Sequence, residues 1–539
     1  MKEDKWLTVA VTEHSLNGNL LPPGSMEQGF FVIRGDLRSL KADVFLLPSD
    51  AYGQVEPAWD WLVGSRLAEI GRRRDELAHS DSILLASDGN EVPVLAVNVG
   101  GASADNDPDK LSIRLKRALQ NLQTQLDSHQ SLIPAHRGLR PLLAMPVIGV
   151  GEGGLGGQTG DVLVRLSETL STRHDWLDGQ TGFDVVVVCR STSDYAALQH
   201  VRRRTLRDVP DWVQRLAAFS EQGRLSIMFG AGASVPLGLP SWAGLLDHVG
   251  AALDMDDEDR QALVELDPVD AATILADRAG SNEEFHSLVI PFVTTDKVSL
   301  THGLLASLST RMAITTNYDQ GYEIAAMAAG NGRPVVLPWE QIPDHEAPAI
   351  LKIHGDVSRG QIVLARDDFA SVHVRRRPLV GVIQERLLVG HVLTVGSSVS
   401  DPTLVQAAEE VGSLLSQVRD ADGQTFGTVV LTRRHPAREL LLGRNFDLVL
   451  PDKDDETSIE ELARRVDLLL DLVACLASSS LAFALDPRYE GLLDDAESAV
   501  SVELRKAATV VQGFVSGSNT SALATQAWDF FSSLGAPAD

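Results

Sequence analysis

"LSIMFGAGASVPLGLPSW", residues 225–242, joins an apolar, β-prone run to a stretch rich in glycine and other small residues. The run predicts a buried strand over 225–229, and the small residues after it predict a tight turn before a helix. Glycine lacks a Cβ, so the backbone can turn sharply there or lie against a bulky ligand. A strand, a glycine turn and a helix N-terminus together are typical of phosphate-binding loops. The spacing departs from the usual dinucleotide fingerprint, since the third residue after Gly232 is Val235, so a purely structural turn stays an alternative.

The composition is that of a globular protein, with 539 residues of which 44% are hydrophobic and 22% charged. This length is sufficient for two or three cores. The net charge of −27 disfavours direct binding of nucleic acid, and the arginine triplets at 202–204 and 375–377 are too short to reverse that expectation. Two distant cysteines, Cys189 and Cys475, exclude a disulfide scaffold and a four-cysteine zinc site, so no metal is predicted.

The N-terminus lacks the apolar core of a signal peptide, and no segment approaches the ~20 apolar residues of a membrane span. The longest mostly apolar stretch, at 466–485, is interrupted by Asp467 and Asp471. We therefore expect a cytoplasmic protein that does not enter a membrane.

Apolar runs alternate with helical patterns over most of the chain, which predicts an α/β fold. In a first region, residues 1–200, strands are predicted at 30–35, 43–48, 92–100, 142–151 and 184–190. In a second region, residues 211–450, they are predicted at 225–229, 313–316, 349–354, 362–364, 391–395, 428–432 and 447–450. A third region, residues 451–539, is predicted to be helical at 462–485 and 496–511.

Three further polar stretches follow predicted strands of the second region: "TTNYD" (315–319), "KIHGD" (352–356) and "VGSSVSDP" (395–402). Open α/β sheets bind their ligands at the carboxyl ends of the strands, so we expect these stretches to lie together. Taken singly, each is also typical of an ordinary turn or helix cap. Their common position after strands, and their order along the chain, favour a binding site.

In this order, the four stretches resemble the sirtuin family, and in particular the sirtuin-like NADases of bacterial anti-phage defence. The resemblance covers about 225–405 and implies a Rossmann-like parallel sheet that binds NAD+ as substrate. It implies that Asn317 positions water at the nicotinamide ribose, that Asp319 contacts the carboxamide, and that His354 is the base acting on a ribose hydroxyl. The remaining NAD-binding positions that it implies are Gly230, Ala231, Gly232, Ala233, Ser234, Pro240, Thr316, Gly396, Ser397 and Asp401.

Hydrolysis of NAD+ to nicotinamide and ADP-ribose is the reaction that this resemblance favours. Protein-deacylating sirtuins carry a zinc module with four cysteines, which two cysteines cannot supply. A cyclic product, and a non-catalytic sensor of NAD or ADP-ribose that recruits a partner, stay alternatives. The resemblance further implies a triggered, NAD-depleting effector that forms a homo-oligomer and works with a partner protein of the same defence system.

The first region resembles a macro domain, in "VIRGDLRSLKADVFLLPSDAYG" (32–53), "AMPVIGVGEGGLGGQTGDVLVRLSETL" (144–170) and "DVVVVCRSTSDYAAL" (184–198). The resemblance implies an α/β sandwich that acts as a nucleotide sensor or an assembly domain. Backbone amides of a glycine loop can surround a diphosphate. The candidate regulatory loop contains Gly149, Gly151, Gly153 and Gly154, with a surface loop of architectural role as the alternative.

Overall fold

The computed structural model of the protein describes residues 29–537 apart from short gaps. These gaps are 87–91, 101–106, 129–134, 139, 152, 174–176, 178–181, 309, 345–346, 369–376, 398–401, 419–424, 453–455 and 516–520. Two β-sheets with helices on their faces make up most of the described chain, which confirms the predicted α/β fold class.

The first sheet lies within the first region and has six strands in the order β1-β6-β5-β2-β4-β3. Neighbouring strands are parallel except that β3 is antiparallel to β4. The strands are β1 (Phe30–Arg34), β2 (Val44–Ser49), β3 (Ser82–Leu85), β4 (Val94–Asn98), β5 (Leu142–Pro146) and β6 (Asp184–Cys189).

The second sheet has seven parallel strands in the order β15-β14-β13-β7-β8-β10-β9. Strands β8, β9 and β10 lie on one side of β7, and strands β13, β14 and β15, which come later in the chain, lie on the other side. The order in which strands are added therefore reverses between the neighbours β7 and β13. Such a reversal is where open α/β sheets form their ligand crevice. The strands are β7 (Leu225–Phe229), β8 (Met312–Thr315), β9 (Val335–Leu337), β10 (Ala349–Lys352), β13 (His391–Val395), β14 (Gly427–Val430) and β15 (Phe446–Val449). Two short strands outside this sheet, β11 (Gly355–Asp356) and β12 (Gln361–Ile362), form a separate antiparallel pair.

Helices cover both sheets and form the C-terminal region. In the first region they are Asp60–Val63, Leu67–Arg72, Arg74–Ser80, Pro108–Ser128, Thr159–Ser171 and Thr192–Thr205. In the second they are Asp211–Glu221, Trp242–Ala252, Asp257–Val264, Pro268–Ala279, Asn282–Val289, Leu300–Ser307, Gly321–Ala328, Arg377–Val389, Pro402–Val418 and Pro436–Leu442. The third region contains Ile459–Ala477, Asp495–Val515 and Ala522–Ser533. In the described part of the chain, no helix combines the length and apolar character that a membrane crossing needs.

The helix Ile459–Ala477, here called the bridging helix, joins the three regions. Its buried residues Leu469 and Val473 belong to one apolar core with Phe31 of β1 and Ile227 of β7. Burial of apolar surface is the main favourable term in folding. The predicted first and second regions are therefore packed together around this helix.

Three buried charges fix the bridging helix against the first region and the end of its last helix, Thr192–Thr205. Arg464 donates through Nε to both oxygens of Asp184, at 3.0 and 2.9 Å. Asp467 accepts a hydrogen bond from Arg137 at 3.1 Å, and Asp471 pairs with Arg202. A buried charge is tolerated where it is paired and hydrogen-bonded, so these contacts specify one position for the helix.

The two acidic residues that interrupt the apolar pattern at 466–485 are thus the residues that dock the bridging helix. Most predicted strands agree with the structure within one or two residues. Two predicted strands are too long, since 142–151 ends at Pro146 and 349–354 ends at Lys352. Strands β3, β9 and β11 were missed, and β12 was only partly found. Strands β9, β11 and β12 have three residues or fewer, which is too short to show a periodic pattern.

Candidate functional site

Four strands of the second sheet end in register at one edge. Val395 of β13 pairs with Phe229 of β7, Phe229 with Thr315 of β8, and Thr315 with Lys352 of β10. The glycine turn and the three polar stretches each begin at these strand ends. The structure therefore brings together the segments that the sequence predicted to form one site.

The glycine turn packs closely against the turn that follows β13. A Cβ at Gly230 would lie 2.9 Å from the carbonyl oxygen of Gly396, and one at Gly232 would lie 2.8 Å from its Cα. Gly396 itself has a φ of +59°, in the left-handed region that favours glycine. Contact between the two loops thus accounts for these glycines without a ligand.

The backbone amides of the glycine turn are largely used within the protein. Gly232 donates to the carbonyl oxygen of Gly396 at 2.9 Å, Ala233 to that of Gly230 at 3.0 Å, and Ser234 to that of Ala231 at 2.9 Å. The bonds donated by Ala233 and Ser234 belong to a short 3₁₀ turn at 231–233, and a second 3₁₀ turn follows at 235–237. In this conformation the three amides are not available to a pyrophosphate, so the predicted backbone cradle is not formed by them.

Asn317, which follows β8, is held by two hydrogen bonds through its side-chain amide nitrogen. Nδ2 donates to the carbonyl oxygen of Gly230 at 3.0 Å and to Oγ of Ser234 at 2.9 Å. The Ser234 hydroxyl donates in turn to Oδ2 of Asp319 at 2.7 Å. The carbonyl can only accept, and the hydroxyl proton is already donated, so both contacts require the NH₂ group of Asn317. Oδ1 of Asn317 is thereby left as the acceptor.

Asp319 holds the Ser234 hydroxyl in place through its carboxylate. Its Oδ2 accepts from Ser234, and its Oδ1 accepts from the backbone amide of Gly321 at 2.9 Å. The carboxylate is buried, with 6% of the residue exposed. Both oxygens are engaged within the protein, so the expected contact of Asp319 with a carboxamide stays a prediction.

His354 follows β10 and lies in a fixed turn. Its carbonyl oxygen accepts from the amide of Val363 at 2.8 Å. The next residue, Gly355, has a φ of +110°, and a Cβ there would clash with the carbonyl oxygen of Gln361. This glycine is therefore required by the backbone, and it fixes the position of His354 beside the end of β8.

Lys352, which the sequence interpretation missed, joins two of the polar stretches. Its fully buried ammonium donates to the carbonyl oxygen of Asp319 at 2.7 Å and to Oδ2 of Asp356 at 3.2 Å. It also lies 2.7 Å from Oε1 of Glu323. Burial raises the pKa of Glu323, and the neighbouring Lys352 opposes that shift. In the sequence, Lys352 could have been recognised as the one charged residue of the otherwise apolar strand "AILK".

His302 is a second residue that was missed. It lies under the glycine turn, where its Nδ1 is 3.1 Å from Oγ of Ser299, whose hydroxyl donates to the carbonyl oxygen of Ala233 at 2.7 Å. Burial lowers the pKa of His302, Asp319 opposes this shift, and Lys352 adds to it. A neutral imidazole that supports the turn is consistent with these contacts.

Of the other predicted NAD-binding residues, Thr316 follows β8, Gly396 and Ser397 follow β13, and Pro240 precedes the helix Trp242–Ala252. Pro240, Thr316, Gly396 and Ser397 are half-buried, whereas Asp401 lies in the gap at 398–401. Ser241 caps the helix Trp242–Ala252 by accepting from the amide of Gly244 at 3.3 Å.

The candidate regulatory loop of the first region follows β5 in the other sheet and is folded on itself. Gly149 and Gly154 have φ angles of +81° and +82°. The amide of Gly154 donates to the carbonyl oxygen of Gly151 at 3.3 Å, and that of Leu155 donates to Gly149 at 3.0 Å. A Cβ at Gly153 would lie 2.8 Å from Cα of Gly149. Its role as a ligand loop stays a prediction.

Comparison with known proteins agrees with the sirtuin resemblance. A family model described as a SIR2-like domain matches residues 311–446, so the chain contains a SIR2-like domain. The NAD(+) hydrolase ThsA of Bacillus cereus (strain MSX-D12) is 28% identical over 202 residues, which are 36% of this chain and 40% of that protein. The Defense-associated sirtuin 2 of Bacillus subtilis is 21% identical over 237 residues, 43% of this chain and 23% of that protein. The chain thus spans two fifths or less of the length of these distant curated relatives.

Among solved structures, macrodomains are similar to this chain. A macrodomain of Oceanobacillus iheyensis with ADP has 16% sequence identity and a TM-score of 0.25, covering 32% of this chain and 89% of that chain. A macrodomain of Trypanosoma brucei has 16% identity and a TM-score of 0.24, covering 34% of this chain and 70% of that chain.

Proposed function

We propose that the protein is an NAD+ glycohydrolase that cleaves the bond between nicotinamide and ribose. The observation that carries this proposal is the fixed amide of Asn317, whose Oδ1 remains as an acceptor beside the turn that presents His354. The distant similarity to ThsA NAD(+) hydrolases supports NAD+ as the substrate.

The reaction needs little beyond positioning, because the nicotinamide of NAD+ is a cationic leaving group that departs as a neutral molecule. As the glycosidic bond breaks, positive charge develops on the ribose. Asn317 Oδ1 would accept a hydrogen bond from the attacking water, and His354 would act as a base on a ribose hydroxyl. The balance is NAD+ and water giving ADP-ribose, nicotinamide and one proton. Positioned acid–base help contributes about 10²–10⁴-fold in rate.

Two alternative functions make different predictions for the fate of NAD+. A non-catalytic sensor would bind NAD+ and leave it intact. A protein deacylase would consume NAD+ only with an acyl-lysine peptide, and the two cysteines of the chain do not supply the zinc module of that branch.

Product analysis in ¹⁸O-water separates these functions. The proposal expects nicotinamide and ADP-ribose in equal amounts, with one ¹⁸O at the released ribose carbon, in the absence of any peptide. Unlabelled cyclic product would contradict hydrolysis, and dependence of NAD+ consumption on an acetyl-lysine peptide would favour the deacylase.

Replacing Ser234 by alanine tests how Asn317 is oriented. Without the hydroxyl, the amide of Asn317 loses one of its two acceptors, so kcat should fall on the order of tenfold while KM changes little. Steady-state kinetics measure both constants. Ser220→Ala is the matched control, because the Ser220 hydroxyl donates to Leu308 away from the site. A rise in KM with unchanged kcat would instead make Ser234 a direct NAD+ contact.

Chelation should leave the activity unchanged. In the part of the chain that the structure describes, no group of three or more His, Cys, Asp or Glu side chains is placed to hold a metal ion. NAD+ cleavage is therefore expected to proceed at the same rate in EDTA. Loss of activity in EDTA that added zinc restores would contradict this expectation.

We further propose that cleavage is triggered and serves in bacterial anti-phage defence, in a homo-oligomer with a partner protein of the same system. Two named relatives support this part, an NAD(+) hydrolase and a defence-associated sirtuin. Free NAD+ hydrolysis would harm the cell that makes the protein, so a resting state is expected. A ligand shifts such an equilibrium only through its different affinities for the two states.

A further inference from the structure

A cleft of about 270 Å³ opens where the loop between β1 and β2 meets the segment before the helix Leu300–Ser307. Four cationic side chains line it: Arg38, Lys41, Arg66 and Lys297. None of the described residues that line the cleft is acidic. In a chain with a net charge of −27, this concentration of positive charge points to an anionic ligand.

Two aromatic rings form part of the same wall. Phe45 and Trp61 are in edge-to-face contact, with ring centroids 5.8 Å apart and an angle of 82° between the planes. Trp61 is 39% exposed, although it lies beside apolar residues of its own helix. An accessible indole next to several cations suits a ligand that carries both a flat ring and a negative group.

Backbone carbonyl oxygens accept hydrogen bonds from three of the four cations. Arg66 is buried and donates to the carbonyl oxygen of Val92 at 2.8 Å. Lys41 donates to the carbonyl of Leu237 at 2.7 Å, and Lys297 to that of Arg38 at 2.9 Å. A carbonyl orients an ammonium without neutralising it.

Among the described residues, carboxylates lie near Arg38 and Lys41. Arg38 is 3.4 Å from Asp36, and Asp43 partly opposes the burial that lowers the pKa of Lys41. A phosphate in the cleft would add the negative charge that the lining residues lack.

The cleft is distinct from both glycine loops. It opens at the N-terminal end of β2, whereas the loop with Gly149 and Gly154 follows β5, which is parallel to β2. The cleft and this loop therefore lie at opposite ends of the strands of the first sheet. The strand-end site of the second sheet is formed by none of the residues that line the cleft.

We propose that this cleft binds a phosphate-bearing ligand with an aromatic ring, in the size class of a mononucleotide. Its volume lies just below the ~300–1,000 Å³ of typical ligand pockets, which favours a mononucleotide over a dinucleotide. The indole of Trp61 provides the surface for the ring, and the lysines and arginines bind the phosphate.

The cleft is also linked to the glycine turn of the second region. The backbone amide of Lys41 donates to the carbonyl oxygen of Val298, and the hydroxyl of the next residue, Ser299, donates to the carbonyl oxygen of Ala233. The Leu237 carbonyl that accepts from Lys41 ends the turn 235–237. A phosphate that attracts the Lys41 ammonium would compete with this carbonyl, so ligand binding should change the mobility of the turn.

Calorimetry of the full chain with ADP tests the proposal. The double variant Arg38→Glu/Lys297→Glu and the variant Trp61→Ala should each weaken ADP binding by about tenfold or more, since one charge-assisted hydrogen bond or stacked ring is worth a factor of that size. Lys506→Glu, on the helix Asp495–Val515, is the control for charge reversal on an exposed surface. Gly154→Glu is the control for the loop after β5. Near-UV circular dichroism checks that each variant is folded.

An ADP site elsewhere would persist in the cleft variants, so only the difference from the parent reports on the cleft. Adenosine alone and inorganic phosphate alone should each bind more weakly than ADP. The change in hydrogen exchange of residues 230–238 on addition of ADP should be smaller in the double variant than in the parent, a readout that requires no catalysis. Unchanged ADP titrations in both cleft variants, loss of binding in Gly154→Glu alone, or phosphate binding as tightly as ADP would each overturn the proposal.

Discussion

NAD+ cleavage is expected to fall by about 10²–10⁴-fold in kcat when either Asn317 or His354 is replaced by alanine. Asn317→Ala removes the acceptor proposed for the attacking water, and His354→Ala removes the proposed base. Both side chains are buried but lie outside the apolar cores, so each variant should stay folded at a cost of about 1–3 kcal/mol for the buried groups that lose a partner. Nicotinamide release by the activated protein, measured beside the unfolding midpoint, separates loss of chemistry from loss of structure.

Two further variants sharpen this test. Asn331→Ala is the matched control, because its amide donates to the carbonyl oxygen of Ala306 at 2.8 Å and has no part in the site. Asn317→Asp keeps the shape of the side chain and removes both donors, while placing a carboxylate beside Ser234 and Asp319. It should therefore be as inactive as Asn317→Ala. Cleavage at the parent rate in Asn317→Ala or His354→Ala would show that the residue has been given the wrong role.

Replacing Lys352 by methionine should destabilise the protein by about 3–5 kcal/mol, the usual cost of removing one partner from a buried ion pair. Methionine has a similar length but leaves the carboxylates of Glu323 and Asp356 in the interior without their ammonium. Two carbonyl oxygens, those of Tyr318 and Asp319, would also lose a donor. Urea denaturation measures the change in the free energy of unfolding.

The control for Lys352→Met is Lys506→Met, which breaks an exposed pair with Glu503 and should cost no more than about 1 kcal/mol. The double variant Lys352→Met/Glu323→Gln should regain part of the loss, since the glutamine removes one unpaired charge. If Lys352→Met were as stable as the Lys506→Met control, Lys352 would not be the residue that joins the two polar stretches.

The position of the candidate site could be predicted from the sequence because it depends on local patterns. Asn317, His354 and Gly396 each follow an apolar run that forms a strand, and parallel strands present their ends at one edge of the sheet. The order of these stretches also matched a family. Both kinds of information are contained in the residues themselves.

The contacts within the site could not be predicted in this way. Ser234 and Asp319 are 85 residues apart, and their hydrogen bond depends on how two loops pack. The sequence likewise suggested that Gly232 approaches a ligand, whereas in the structure it approaches Gly396. Close approach requires a glycine in either case, so the residue type does not tell which neighbour it faces.

The packing of the regions was also beyond the sequence patterns. Asp467 and Asp471 were visible as charges in an apolar stretch, but their arginine partners, Arg137 and Arg202, lie 330 and 269 residues away. Periodicity describes the face of a helix and not the surface that it meets. The same holds for the cleft, where Lys297 joins residues of the first region.

The most direct test of the proposed function is release of nicotinamide from NAD+ by the full chain, followed by chromatography over a range of protein concentrations. The assay is run with and without extract from phage-infected cells, so that a resting state can be triggered. Equal amounts of nicotinamide and ADP-ribose are expected with the parent, and at least about 10²-fold less of both products with Asn317→Ala. NAD+ that binds to the parent but stays intact under every condition would contradict the account and favour a non-catalytic sensor.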